Sequence, residues 1–485
     1  MATKPKNMLV IMSDEHNPKI AGYAGDPVVA TPTLDSLAAR GTRFDAAYTD
    51  CPICVPARAS FVTGLPVHRH RCWDNAIAYD GTIPSWAKVL RDRGHQVTSI
   101  GKLHYQGHAG QDYGFTENLL PMQITGGTGD ITQLIRDPDW VRPTGAGLLN
   151  SARPGESSYT LYDRDVASTA SVWLRETGTR QHDKPWVLYV SLLCPHFPLT
   201  APPEHWYRYF GRDDLPWPKL YAPHERPTHR YIETFARRSN YDPHFKSPAD
   251  VRRAIAGYYA LVTYLDEQVG RILGALRAAG LEEDTRIAYT SDHGDNLGAR
   301  GLWGKSTMYE ESAGIPMILS GADVPAGAVR HTPVTLTDLS ATILDAVGAG
   351  DAVSSLGMTG ESLLALAARP DEDRAALSQY HTSGPDGFAM LRTLRWKYIR
   401  YVNAPPQLFD MENDPEELLD LGEAPAFESV RAALAARLAG QVDIEAADAE
   451  AKRDQAAMIA RYGGDAAVRG IKPAGFTAPP GKTGH

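Results

Sequence analysis

A chain of 485 residues exceeds the size at which one hydrophobic core keeps growing, so two or three packing units are expected, and its 43% hydrophobic and 22% charged residues are those of ordinary globular material. A net charge of -9 argues against nucleic acid as the main partner, because phosphate binding needs clustered Lys and Arg, and no apolar run reaches the roughly 20 residues that span a bilayer. Four cysteines do not make a disulfide framework, and an N-terminus too poor in apolar residues for a secretory signal points to the cytoplasm.

Through the first 350 residues, apolar runs rich in β-branched residues alternate with helical patterns. This is the rhythm of an α/β fold whose mostly parallel sheet is sandwiched by helices. Strands are expected at Met8 to Met12, Gln96 to Gly101, Trp186 to Leu192, Arg286 to Ser291 and Ile315 to Leu319. The clearest helix opens with Ser247 as N-cap and Pro248 at the first helical position, repeats apolar residues from Val251 to Leu276, and ends at Gly280. Residues 200 to 245, rich in Pro, Tyr and His, read as a long excursion over a surface or pocket. Beyond residue 350, "GFAMLRTLRWKYIRYV" alternates as antiparallel strands with one wet face do. The expected division is a main α/β unit over 1–370, a smaller α+β unit with an antiparallel sheet over 371–445, and a helical or extended tail over 446–485. Such a tail suits docking on a second copy, so a homo-oligomer is expected.

Open parallel sheets bind ligands beyond the carboxyl ends of their strands. Here Asp14-Glu15 follows the first strand, Lys102-Leu103-His104 the second, His196 the third and Asp292-His293 the fourth. Singly, each has an ordinary reading. A carboxylate after a strand caps a helix, a lone histidine such as His104 or His196 sits satisfied in a core or at a surface, and Lys102, Lys305 or Arg58 forms a solvated face or ion pair. One shared site explains four successive strand ends more simply than four accidents. Asp14, Glu15, Asp292 and His293 offer hard oxygen ligands and one nitrogen, which suits a divalent cation such as Ca2+, Mg2+ or Mn2+ better than thiolate-bound zinc. Arg58, Lys102 and Lys305 can clamp a tetrahedral oxyanion, while His104 and His196 can move protons near neutral pH. Together these residue types suggest hydrolysis of a sulfate or phosphate ester.

Cys54-Val55-Pro56-Ala57-Arg58 matches the pattern C-x-P-x-R. The blocks "MLVIMSDEH", "TPTLDSLAARGTRF", "GKLHYQG", "CPHFPL", "SDHGDNLGARGLWGK" and "QLFDMENDPEELLDL" accompany it between residues 8 and 421. In all of these the chain resembles the formylglycine-dependent sulfatases of the alkaline phosphatase superfamily. The resemblance implies an alkaline-phosphatase-like fold, a catalytic unit within 1–370, and conversion of Cys54 to Cα-formylglycine by a formylglycine-generating enzyme. The hydrated aldehyde would attack sulfur and expel the alcohol, and its second hydroxyl would then lose a proton and eject sulfate by C–O cleavage. By the same resemblance, Asp14, Asp292, His293 and the position of Glu15 are metal ligands together with residue 54, with Ca2+ the expected ion and Mn2+ or Mg2+ the alternatives. Arg58 would steady the nucleophile, Lys102 and Lys305 would hold the sulfate oxygens, His104 would take the gem-diol proton, and His196 would assist the leaving oxygen. The implied substrate is a small anionic sulfate monoester of aryl, alkyl or choline type.

Two departures from the common pattern are Glu15 where many sulfatases have Asp, and His293 where many have Asn. Both resemble the branch of choline sulfatases and phosphonate monoester hydrolases, as does Trp73-Asp74-Asn75. A phosphonate monoester or phosphodiester hydrolase is the nearest rival reading; that group usually lacks the Lys-x-His pair, so Lys102 and His104 favour a sulfate monoester. A silent binding protein would keep Cys54 as a thiol but would be expected to have lost some of the ligands. A thiol-disulfide enzyme built on Cys51 and Cys54 finds no other support in the chain, and Cys72 and Cys194 read as buried small residues. Trp73, Asp74, Trp140 and the aromatic excursion are candidates for a pocket that takes an aryl group or a quaternary ammonium, although for any one of them a structural role is the simpler reading.

Overall fold

The first apolar stretch forms β1 (Asn7–Asp14), buried from Met8 onward and paired in parallel on both sides, which explains its near-continuous hydrophobic run. A computed structural model describes residues 4–108, 110–124, 129–471 and 477–480 of the chain. Seven further strands complete the central sheet: β2 (Gly41–Phe44), β3 (Val97–Lys102), β4 (Glu117–Met122), β5 (Val187–Pro195), β6 (Thr285–Ser291), β7 (Met317–Gly321) and β8 (Ala328–Arg330). Their order is β8-β2-β7-β6-β1-β5-β3-β4, and β7 alone runs antiparallel to its neighbours in this sheet. β1, β3 and β5 run past their apolar stretches to include Asp14, Lys102 and Pro195, because ladder pairing continues there: Asp14 opposes Pro195 and Lys102 opposes Met122.

Side chains alternate across the sheet and sort the helices into two layers. Leu9 and Ile11 of β1 face one core with α1 (Pro32–Ala39), α3 (Ser158–Glu176) and α4 (Pro248–Ala278), whereas Met8, Val10 and Met12 face the other with α2 (Cys54–Thr63) and α5 (Leu336–Ala346). The long helix begins where its Ser-Pro start places it. The Ser247 hydroxyl accepts from the Asp250 N–H and the Asp250 carboxylate accepts from the Ser247 N–H, a reciprocal cap. Gly280 follows its end at φ +71°.

The antiparallel sheet of β9 (Ala376–Tyr380), β10 (Phe388–Arg392), β11 (Trp396–Tyr401) and β12 (Gln407–Asp410) is a simple meander, with α6 (Glu428–Ala439) and α7 (Ile444–Arg461) following it. Its apolar face shares one core with Tyr48, Ile53, Trp73 and Tyr309 of the larger unit. The excursion over 200–245 is more regular than its composition suggests. It holds helices Pro203–Tyr209 and Arg230–Ser239, the second burying Tyr231, Ile232 and Phe235 on one face, a period obscured by the surrounding Pro and His. Part of the C-terminal tail, including 472–476 and 481–485, lies outside the described residues.

Candidate active site

All ten residues proposed from sequence converge beyond the carboxyl ends of β1, β3, β5 and β6. Asp14 closes β1, and Glu15 follows it in a left-handed conformation (φ +68°). Lys102 closes β3 immediately after Gly101, whose φ of +108° and close approach to the Ser191 carbonyl (2.1 Å from a hypothetical Cβ) leave room for no side chain. That irregularity turns the strand end, and His104 follows at φ +56°. Cys54 and Arg58 occupy the first turns of α2, a helix buried along its whole length. Lys305 is held on its own loop, where Gly304 donates to Asp295 (3.1 Å) and Ser306 donates to the Pro52 carbonyl (3.0 Å), tying it to the approach to Cys54.

At the floor, ligand atoms of Asp14, Cys54, Asp292 and His293 lie within 4.8 Å of one another, all buried. His293 Nδ1 donates to the Gly294 carbonyl (3.0 Å), which leaves the Nε2 lone pair facing Cys54 Sγ at 3.1 Å, Asp292 at 3.6 Å and Asp14 at 3.7 Å. Burial lowers the His293 pKa, so the imidazole is neutral and able to ligate. Asp292 accepts from the Glu15 and His293 amides (3.2 and 3.0 Å) and from Arg58 Nε (2.8 Å). For Asp14, burial opposes ionisation, but Lys102, His196, Lys305 and Arg58 outweigh it and hold the carboxyl well below its ordinary range. This oxygen-rich set with one imidazole fits a divalent cation. Glu15 stands apart from the four: it groups with Asp14 and His196, and its Oε1 is buried without a hydrogen-bond partner. Burial pushes its carboxyl well above the ordinary range against the pull of Lys305.

The cations close over this floor. Lys102 pairs with Asp14, and Lys305 reaches Glu15 (3.1 Å), Cys54 Sγ (3.3 Å) and His196 Nε2 (2.7 Å). Although burial opposes it, the Cys54, Glu15 and Asp14 fields raise the Lys305 pKa and keep its ammonium charged. His196 donates through Nδ1 to the Phe197 carbonyl (2.5 Å) and accepts from Lys305 at Nε2; burial and that ammonium lower its pKa. Arg58 adds bonds to the Lys102 carbonyl (2.9 Å) and Ser191 (2.8 Å), and its Nη2 remains buried and unpartnered. Neither ring nitrogen of His104 has a hydrogen-bond partner among the described residues, and burial together with Lys102 and Arg58 lowers its pKa.

A pocket of about 400 Å³ opens above Cys54, Lys102, His104, His196 and Lys305. Its outer wall is built by Phe235, Arg238 and Tyr241 of the excursion, which was expected to cover a surface or pocket, and by Asp130, Arg142 and Tyr380, which sequence reasoning did not single out. Asn75, quoted in the sequence with Trp73-Asp74 but given no role there, accepts from the Val55 amide (3.0 Å) and so fixes the start of α2. Trp140 lines the pocket as expected, but Trp73 and Asp74 do not. Trp73 is buried, with its indole N–H on Asp454 (2.8 Å). Asp74 accepts from Gln455 (2.8 Å) and from two local amides, so both serve the docking of α7. Cys51, Cys72 and Cys194 are buried free thiols outside the ligand cluster.

A family model described as Sulfatase matches residues 6–349, and one described as N-sulphoglucosamine sulphohydrolase, C-terminal, matches residues 298–443. The chain is similar to a choline-sulfatase of Rhizobium meliloti, with 33% identity over 94% of this chain and 90% of that protein. It is also similar to arylsulfatase K of Rattus norvegicus, with 29% identity over 86% of this chain and 74% of that protein. Among solved structures, a phosphonate monoester hydrolase of Agrobacterium radiobacter superposes with a TM-score of 0.70 at 23% identity, covering 90% of this chain and 95% of that one, a likeness of fold.

Proposed function

Because the chain belongs to the sulfatase family and is a sulfatase hydrolase, we propose that it cleaves a small sulfate monoester, using residue 54 as nucleophile after conversion of Cys54 to Cα-formylglycine. The observation that carries this reading is the position of Cys54 Sγ, 3.1 Å from His293 Nε2 and 3.3 Å from Lys305 Nζ at the bottom of the pocket. In this proposal Asp14, Asp292, His293 and residue 54 hold a divalent cation, with Ca2+ preferred and Mn2+ or Mg2+ as alternatives. The cation would supply Lewis acidity toward the nucleophile and a sulfate oxygen. Glu15 is assigned a lesser part, since it falls outside the four-residue cluster.

The chain's own groups supply the rest. Arg58 fixes Asp292 and keeps one guanidinium nitrogen free beside the nucleophile. Lys102 and Lys305 present ammonium groups to the sulfate oxygens as negative charge shifts during S–O cleavage. His104, neutral and unpartnered, accepts the proton released when the sulfated residue 54 collapses. His196 stands next to the Lys305 ammonium, so a proton passed to Nε2 can be delivered to the leaving alcohol oxygen. The reading requires a formylglycine-generating enzyme as maturation partner.

Lys102 and His104 beside residue 54 support sulfate over phosphonate. Parallel kcat/KM measurements with phenyl sulfate and the phosphonate monoester phenyl methylphosphonate test this. A sulfate preference of about tenfold or more is expected, and a tenfold preference for the phosphonate overturns the assignment.

A further inference from the structure

We propose that the outer wall of the pocket is a subsite for a second negative charge on the substrate, so that the alcohol part of the sulfate ester carries a carboxylate received by Arg238. This rests on the sulfate-ester reading above. Arg238 is 3% exposed, borders the pocket, and spends its guanidinium on neutral partners only: the Ser383 carbonyl (3.2 Å) and the Ile135 carbonyl (2.9 Å). Its Nη1 is buried without a hydrogen-bond partner among the described residues. Asp137, whose field reaches it, is paired with Arg469 (2.9 Å). A buried cation with no carboxylate partner among the described residues is costly to the fold unless an anion completes it.

The rest of the wall offers no uncommitted negative charge among the described residues. Arg142 stands nearby, its Nη2 on Asp130 (2.7 Å) and its Nε unpartnered. Asp130, the sole carboxylate among the described residues lining the pocket, is committed to Arg142 and to Thr132 (2.6 Å). Lys102 and Lys305 already answer the single charge of a sulfate monoester, so Arg238 exceeds what that group needs. A quaternary ammonium finds no free carboxylate here, and two aromatic faces that could receive it are taken by the chain's own cations. Arg238 lies 5.6 Å from the Trp140 ring centroid and Lys305 lies 5.8 Å from that of Phe197. The chemistry of this wall therefore selects an anionic alcohol over a cationic one.

The test compares kcat/KM of the full-length protein, with residue 54 converted, on meta- and para-sulfooxybenzoate, their carboxamide counterparts and choline sulfate. The carboxamide is the better leaving phenol, so intrinsic reactivity works against the expected result. At least one carboxylate should be favoured about tenfold or more over its carboxamide, with choline sulfate slower than either. Arg238→Met should bring that ratio close to one, and Arg238→Lys should retain part of it; the wild-type ratio is informative without either variant. Equal or better turnover of both carboxamides, faster turnover of choline sulfate, or a ratio that persists in Arg238→Met overturns the proposal while leaving the sulfatase reading intact. Turnover of phenyl methylphosphonate with none of these sulfates would instead remove the sulfate reading, and this inference with it.

Discussion

The floor and the outer wall of the pocket differ in how the chain builds them. The charged groups of the floor sit at strand ends, in the first turns of α2 or, for Lys305, on a tethered loop, and each cation among them is paired with a carboxyl group. The wall comes from an irregular segment around 130–142, the helix Arg230–Ser239 and the residues after β9, and it gives Arg238 backbone carbonyls but no carboxylate partner among the described residues. On the proposed reading, bond-making rests on parts fixed by the sheet, and selection of the alcohol on parts added around it, as is usual where one fold hosts several specificities.

Substitutions on the floor should be severe and those on the wall selective. Cys54→Ala is expected to lower kcat by about 10⁴-fold or more with an unchanged thermal unfolding curve; retention of a few per cent of activity would break the distinction. Arg58→Ala leaves Asp292 buried without its cation and should cost about 3–5 kcal/mol in urea unfolding as well as activity.

A third expectation concerns the support under His196. Asp163 of α3 accepts from the Leu193 and Cys194 amides (2.7 and 2.8 Å), and burial raises its carboxyl to about 7. A carboxyl raised in this way binds its proton more tightly folded than unfolded. Its contribution is therefore most favourable below pH about 4 and is lost progressively as pH rises to about 7. Urea unfolding of the wild type should weaken by about 2–3 kcal/mol more between pH 5 and pH 8 than that of Asp163→Asn. The smallest effect belongs to the wall: Trp140→Ala should shift stability by less than about 1 kcal/mol and change KM a few-fold with kcat nearly preserved.

The same division governs what could be read from the sequence. The parallel sheet was legible because buried strands between parallel neighbours carry continuous apolar runs, and the floor because its residues follow those runs directly or lie in the C-x-P-x-R block. Arg142 and Arg238 were not legible, since no local period or motif marks them and long-range packing brings them to the pocket. Trp73 and Asp74 show the converse. An aromatic ring and a carboxylate made them pocket candidates, but Asp454 and Gln455 of α7, nearly 400 residues later, are their partners. No helix among the described residues is long and apolar enough to cross a membrane.

The central claim is that residue 54 is the nucleophile and is no longer a cysteine in the active protein. Mass measurement of the tryptic peptide spanning residues 44–58, from protein made together with a formylglycine-generating enzyme, tests it most directly. The account predicts a peptide about 18 Da lighter than the cysteine form, its abundance tracking sulfate-releasing activity across preparations. Full activity in protein whose peptide is entirely the unmodified thiol would contradict it.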